Sequence, residues 1–222
     1  MRLGLISATL ACLSACAATA SPILNQVNNF SAGATSNWSN GGGAADPVNV
    51  STGGPAGAGD AFLRVNANGG GGPGSRLVTF NRGGQWTGNF ATAGVTGLTM
   101  DLKNFGTTPL SMRVAFQESA GAWYVSTQPV SLLPDNAWHA ATFPLTQAAM
   151  TRTTGSTAFN TALTRVNEFR IVDNTGVDYH GEAISSSFGV DNVRAVPEPA
   201  GAGLLGGALL PFLARRHPGN RR

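Results

Sequence analysis

The sequence predicts an all-β fold, an antiparallel sandwich of short strands with a targeting segment at each end. Three observations carry this. Two stretches alternate with a period of two: Leu110, Met112, Val114 and Phe116 against Ser111, Arg113, Ala115 and Gln117, and Leu98, Met100 and Leu102 against Thr99, Asp101 and Lys103. A strand with one buried and one wet face reads this way. No helical period lasts beyond a turn or two between residues 21 and 196. The 30 glycines break the chain into short runs, while the content of Val, Leu, Ile and Phe is too high for a disordered chain.

Residues 1–20 read as an export signal. Arg2 supplies the positive start, residues 3–15 the apolar stretch, and Ala18-Thr19-Ala20 the small–x–small site, with cleavage before Ser21. Leu13-Ser14-Ala15-Cys16 also resembles the lipobox of bacterial lipoproteins, which would make Cys16 a lipidated N-terminus. Cys12 and Cys16 both lie in this segment, so the body at residues 21–196 has neither disulfide nor thiolate chemistry.

Strands are expected at residues 23–30, 48–51, 61–66, 76–81, 96–104, 110–118, 123–127, 130–133, 138–145, 167–172 and 186–196. Many short strands at close spacing argue for a sandwich. Asn104-Phe105-Gly106 with Pro109 supplies the turn between the two alternating strands. Glycine-rich residues 41–43, 53–59 and 69–74 read as surface loops. The last lacks the Lys-Ser/Thr ending of a phosphate loop, and no helical pattern follows it. Residues 151–163, rich in Thr, read as a long connection with at most one helical turn.

Residues 197–222 have three parts in fixed order. Pro197-Glu198-Pro199 comes first, an uncharged apolar run at 200–213 second, and Arg215-Arg216 third, with Arg221-Arg222 at the end. Prolines stop an arriving strand. The apolar run suits lipid, and the arginines suit the cytoplasmic side of a bilayer.

Charge excludes one class of partner. The net charge of +3 is carried by the ends, because the body holds 9 basic against 10 acidic residues. No basic excess remains there for nucleic acid.

The tail resembles the PEP-CTERM sorting signal of bacterial exported proteins, with Pro197, Glu198 and Pro199 as the motif and Arg215 and Arg216 as the basic end. That resemblance implies an exosortase, a membrane-embedded cysteine-type transpeptidase, as partner. It also implies transient residence in the inner membrane, then delivery to the envelope or to an extracellular, biofilm-type polysaccharide matrix. The run at 200–213 contains Pro211 and is shorter than the roughly 20 residues of a full transmembrane helix.

The body resembles the jelly-roll sandwich of carbohydrate-binding modules. Asn29-Phe30 precedes Trp38, Gly59 to Val65 forms Gly-x-x-x-Leu-x-Val, Ala137-Trp138 opens a strand ending Thr142-Phe143-Pro144-Leu145, and Gly189-Val190-Asp191-Asn192-Val193 closes the body. In that family a structural Ca²⁺ often bridges the first and last strands, through an acidic residue after the early Phe and the Asp of the final strand. Asp191 stands at the second position and Ser31 at the first, so the resemblance implies at most a weakened calcium site and no other cofactor.

Such modules hold sugars on aromatic side chains of the wet sheet face. The candidates are Tyr124 and Trp123, with Trp86 and Tyr179 behind them. Parity is read as pointing Tyr124 outward and Trp123 inward with Val125. Arg113 and Gln117, with Glu168 and Arg170, are expected to supply hydrogen bonds to an extracellular polysaccharide. Signs of an enzyme are few. The body has no His-Glu-x-x-His and no Gly-x-Ser-x-Gly. Asp173 and Asp178 are separated by Asn174-Thr175-Gly176, which reads as a turn. The expected function is a non-enzymatic sandwich sorted to the envelope or matrix. A carbohydrate-binding module is the alternative, and a glycan-active enzyme ranks below both.

Overall fold

The computed structural model describes residues 21–42 and 46–197. The signal at 1–20 with Cys16, and Glu198, Pro199, the run at 200–213, Arg215 and Arg216 lie outside the described residues. Pro197 is exposed.

The elements in chain order are β1 (Val27–Asn28), β2 (Trp38–Ser39), β3 (Val48–Val50), β4 (Phe62–Asn68), β5 (Val78–Asn81), β6 (Gly97–Asn104), β7 (Leu110–Glu118), β8 (Trp123–Ser126), β9 (Val130–Leu132), β10 (Trp138–Pro144), β11 (Met150–Thr154), α1 (Phe159–Ala162), β12 (Val166–Asp173) and β13 (Ser185–Val196). They form two antiparallel sheets. A six-stranded sheet runs β10-β6-β13-β4-β3 with β1 on β13, and a seven-stranded sheet runs β11-β8-β7-β12-β5-β2 with β9 on β7. The expected β-sandwich is therefore the observed class, and β7 has the expected bounds.

The alternation of β6 and β7 builds the core. Leu98, Met100 and Leu102 of β6, with Leu63 and Val65 of β4, meet Met112, Val114 and Phe116 of β7 and Phe169 and Ile171 of β12. Each such side chain contributes about 1.5–3 kcal/mol when fully buried. Two buried indoles find the partner that a buried N–H needs. Trp38 Nε1 and Trp86 Nε1 both donate to Asn28 Oδ1, at 3.0 and 2.6 Å.

β13 changes parity along its length. Phe188 and Val190 enter the core in its first half, Val193 and Ala195 in its second. The register against β6 shifts between Asp191 and Arg194, and Asn192 has φ 50°. An extra residue in the left-handed region makes a bulge, and Asn tolerates that region better than most residues. Gly189 and Asp191 are left on the outer face of the six-stranded sheet.

Two strands depart from expectation. β2 is a two-residue strand that is not among the expected ones. The Thr-rich stretch expected to be a connection begins as a strand, β11, which pairs with β8. Thr is β-branched and fits a pleated surface. The single helical turn is present as α1.

Candidate functional site

Register places one row of side chains on the outer face of the seven-stranded sheet. Phe80 of β5 lies opposite Arg170 of β12, Arg170 opposite Ala115 of β7, and Ala115 opposite Val125 of β8. Glu168 and Trp123 flank Gln117 in the same way. Side chains two apart share a face, so all of these point away from the core. Ala115, Trp123 and Val125 form a second small apolar cluster, with Tyr179 packed against it.

Arginines organise this face. The Trp123 and Tyr179 rings stack at 4.2 Å and 4°. The Arg170 guanidinium lies 4.3 Å from the Trp123 ring and 5.8 Å from the Phe80 ring, and that of Arg82 lies 4.7 Å from Phe80. Glu168 is 2% exposed and binds both, with Arg82 Nη2 at 2.7 Å and Arg170 Nε at 2.5 Å. Arg170 Nη1 also donates to Tyr179 O at 3.0 Å, which fixes the loop carrying the second ring.

Beside this network runs a groove of about 550 Å³, lined by Val78, Phe80, Arg76, Arg82, Arg170, Asn40, Gly41, the Gly71–Gly74 stretch, His180 and Gly181. Arg76 ties two of its loops together, donating from Nε to Gly71 O at 3.0 Å and from Nη1 to Gly181 O at 2.9 Å. His180 Nδ1 lies 2.9 Å from Asp178 Oδ1. Gly74 has φ 75°, and a Cβ there would run into Gly42 O, so this stretch of the wall needs glycine.

The expected site residues are placed as follows. Trp123 is on the outer face rather than in the core, and Tyr179 and Arg170 cover it to 5% exposure. Tyr124 is not outward. It lies opposite Phe116 in register, so it shares that residue's inward parity. Its ring stacks on Phe116 at 5.3 Å, and its hydroxyl donates to Thr157 O at 2.6 Å. Trp86 is fully buried in the main core. Arg113 is a buried clamp, donating to Asn174 O at 2.9 Å, Ser126 O at 2.7 Å and Thr127 O at 2.8 Å. Burial lowers its pKa. Gln117 is half-buried on the outer face beside Trp123. Sequence reasoning missed Phe80, Arg76 and Arg82. Phe80 lay in an expected strand, but nothing in a lone strand shows which side is a groove.

Asp191 is fully buried. Its Oδ1 accepts the Asn192 N–H at 2.7 Å, and its Oδ2 has no partner. Burial pushes its pKa up to about 7, with added repulsion from Asp60 and Asp101. Ser31, at the other expected calcium position, instead donates to Asn29 O at 3.4 Å. Among the described residues no group of three or more His, Cys, Asp or Glu side chains could hold a metal ion. The donor set therefore does not fit calcium, which draws most of its affinity from converging carboxylates. Asp173 accepts the Ser111 N–H at 2.7 Å, and burial raises its pKa to about 6. Asp178 sits in the loop with His180 and is held below the usual range. Burial pushes it up, and the His180 contacts more than offset that.

No protein-family model and no curated protein matches this sequence. Among solved structures, an exo-β-agarase matches with a TM-score of 0.54 at 10% identity, over 79% of this chain and 25% of that one. The chain thus spans about a quarter of the agarase's length, and the likeness is one of fold. A family 11 carbohydrate-binding module, CtCBM11, matches at a TM-score of 0.49 and 16% identity, over 81% of this chain and 99% of that one. The same module from Clostridium thermocellum, in complex with a β-1,3-1,4-mixed-linked tetrasaccharide, matches at 0.46 and 15%, over 80% and 98%.

Proposed function

We propose that the sandwich is a non-catalytic carbohydrate-binding module whose site is the groove over β5 and β12. The carrying observation is that one groove of about 550 Å³ combines the half-buried Phe80 ring with guanidinium donors from β12 (Arg170) and from either side of β5 (Arg76 and Arg82). A pyranose has an apolar C–H face and a polar rim, and those parts match a ring below and N–H groups around. The volume falls within the range of small-ligand sites. Among the described residues the groove's lining includes no carboxylate, and Glu168 behind it is held by two arginines. Glycoside hydrolysis needs a pair of carboxylates across the sugar, so the lining favours binding over cleavage.

Affinity electrophoresis against a polysaccharide panel tests this. Phe80→Ala should weaken binding at least about tenfold, which is roughly 1.4 kcal/mol, while Tyr124→Phe, changed only in the core, should bind as the parent does. Equal binding by the Phe80 variant would remove the groove from consideration.

The second half of the proposal is sorting. β13 ends at Val196, and the exposed Pro197, first residue of the tripartite tail, follows it directly. We assign it to exosortase recognition at the inner membrane, with the module delivered to the envelope or matrix. Mass spectrometry of secreted protein should find a chain starting at Ser21 and lacking the 200–213 run. In Glu198→Ala that processing should stop while the body stays folded.

A further inference from the structure

We propose that the groove selects acidic polysaccharides, those carrying carboxylate or sulfate groups, over neutral ones. This rests on the glycan-binding reading and names the ligand class for the same site. The body carries slightly more acid than base, yet Arg76, Arg82 and Arg170 all line one groove. The carboxylate that pairs with two of them, Glu168, is 2% exposed and has both oxygens on guanidiniums. It cannot turn to a ligand. Arg76 makes its hydrogen bonds to the backbone carbonyls of Gly71 and Gly181, and among the described residues no carboxylate forms an ion pair with it.

The hydrogen-bonding chemistry points the same way. A neutral sugar hydroxyl donates as well as accepts, so grooves for neutral glycans mix donors with acceptors. Here the charged lining groups only donate, since a guanidinium has five N–H donors and no acceptor. Several wall carbonyls already accept hydrogen bonds from the protein: Gly71 O and Gly181 O from Arg76, Gly72 O from the Ser75 N–H, Gly74 O from Asn40 Nδ2 and His180 O from Asn174 Nδ2. A ligand group that only accepts is the complement. Carboxylate and sulfate ester oxygens are such groups, and Arg binds planar oxyanions in a two-pronged geometry. Phe80 then packs the sugar ring while the arginines take its anion.

The test uses the purified full chain in four binding arms: a sulfated galactan, a polyuronate, neutral agarose, and single-stranded DNA of matched charge. Binding to at least one acidic glycan should be at least about tenfold tighter than to agarose, as charge-assisted hydrogen bonds allow. It should fall steeply between about 0.05 M and about 0.5 M salt, as screening shortens. The arm that binds tells sulfate from carboxylate. Arg76→Gln should lose the preference for acid and remain folded, with a small drop in unfolding midpoint from the two backbone hydrogen bonds it gives up. Arg82→Gln, changed at a side chain 64% exposed, is the second variant should the first misfold. Equal binding of agarose and the acidic glycans would overturn the inference and leave glycan binding standing. DNA bound as tightly as either acidic glycan would overturn it in favour of general polyanion attraction. No binding to any glycan would bring down both readings.

Discussion

On the outer face of the seven-stranded sheet the buried carboxylate of Glu168 sits between two guanidiniums, while on that of the six-stranded sheet the buried carboxylate of Asp191 is repelled by those of Asp60 and Asp101. Both faces also carry aromatic rings capped by cations. On the six-stranded side Phe62 meets Phe105 at 5.7 Å and Trp138 at 5.2 Å, with Arg64 and Lys103 over Phe105 at 4.8 and 5.1 Å. Trp138 Nε1 closes that cluster by donating to Gly53 O at 3.0 Å. The parts are alike and the pairing differs. Where acid meets cation, the carboxylate and its two guanidiniums form a fixed array beside a groove. Where Arg64 and Lys103 cap rings and Arg64 donates to Ser187 Oγ at 3.1 Å, the nearby Asp191 forms no ion pair among the described residues, and burial pushes its carboxyl up to about 7.

The largest test of this contrast is Glu168→Gln. Breaking a buried ion pair by removing one partner costs about 3–5 kcal/mol. Urea unfolding should show a loss of that size, and a loss below about 1 kcal/mol would mean the arginines reach solvent without help. Next is Gly189→Ala, beneath the other cluster. A Cβ there would stand 2.8 Å from the Trp138 ring and 3.0 Å from that of Phe105. Overpacking of this kind costs about 1–3 kcal/mol, read as a lower unfolding midpoint with the groove's binding unchanged.

Asp191→Asn should act in the opposite direction. Its pKa rises from an ordinary 3.8 to about 7 on folding. The folded state thus holds a proton that the unfolded state releases. The stability this gives is full below roughly pH 4 and is lost as pH rises through about 7. Asn keeps the acceptor for the Asn192 N–H and carries no charge. The variant should therefore match the parent near pH 4 and exceed it by about 1–2 kcal/mol near pH 8, with a flatter midpoint-against-pH curve between. Asp173, raised to about 6, adds to the parent's slope in the same direction. The smallest effect belongs to Lys103→Ala, which removes one partly exposed cation–ring contact. Thermal unfolding should change by no more than about 1 kcal/mol.

The fold was legible where polar and apolar residues alternate. β6 and β7 announce themselves because solvent touches one face and the core the other. β8 gave no such contrast. All four of its residues are buried, Tyr124 by the core and Trp123 by Tyr179 and Arg170, so parity read from hydrophobicity alone pointed the wrong way. The parity change in β13 depends on one Asn with positive φ, which no period can foretell. The groove was less legible still. Its residues come from β5, β12 and loops near residues 40, 72 and 180, and they meet only once strand order and register are set. The glycine-rich stretch at 69–74 is a loop, as its composition predicts, and its use as a wall comes from what it faces.

The position of β13 has a mechanical consequence. It is an interior strand, held by β6 on one side and by β4 and then β1 on the other. It also ends at Val196, one residue before Pro197. Tension applied through Pro197 therefore pulls lengthwise on a strand gripped along both edges. Its ladders are loaded in shear, many hydrogen bonds sharing the force, instead of being unzipped one by one as at an edge. The groove lies on the opposite sheet, so opposed forces applied there and at Val196 would load the sandwich across its core.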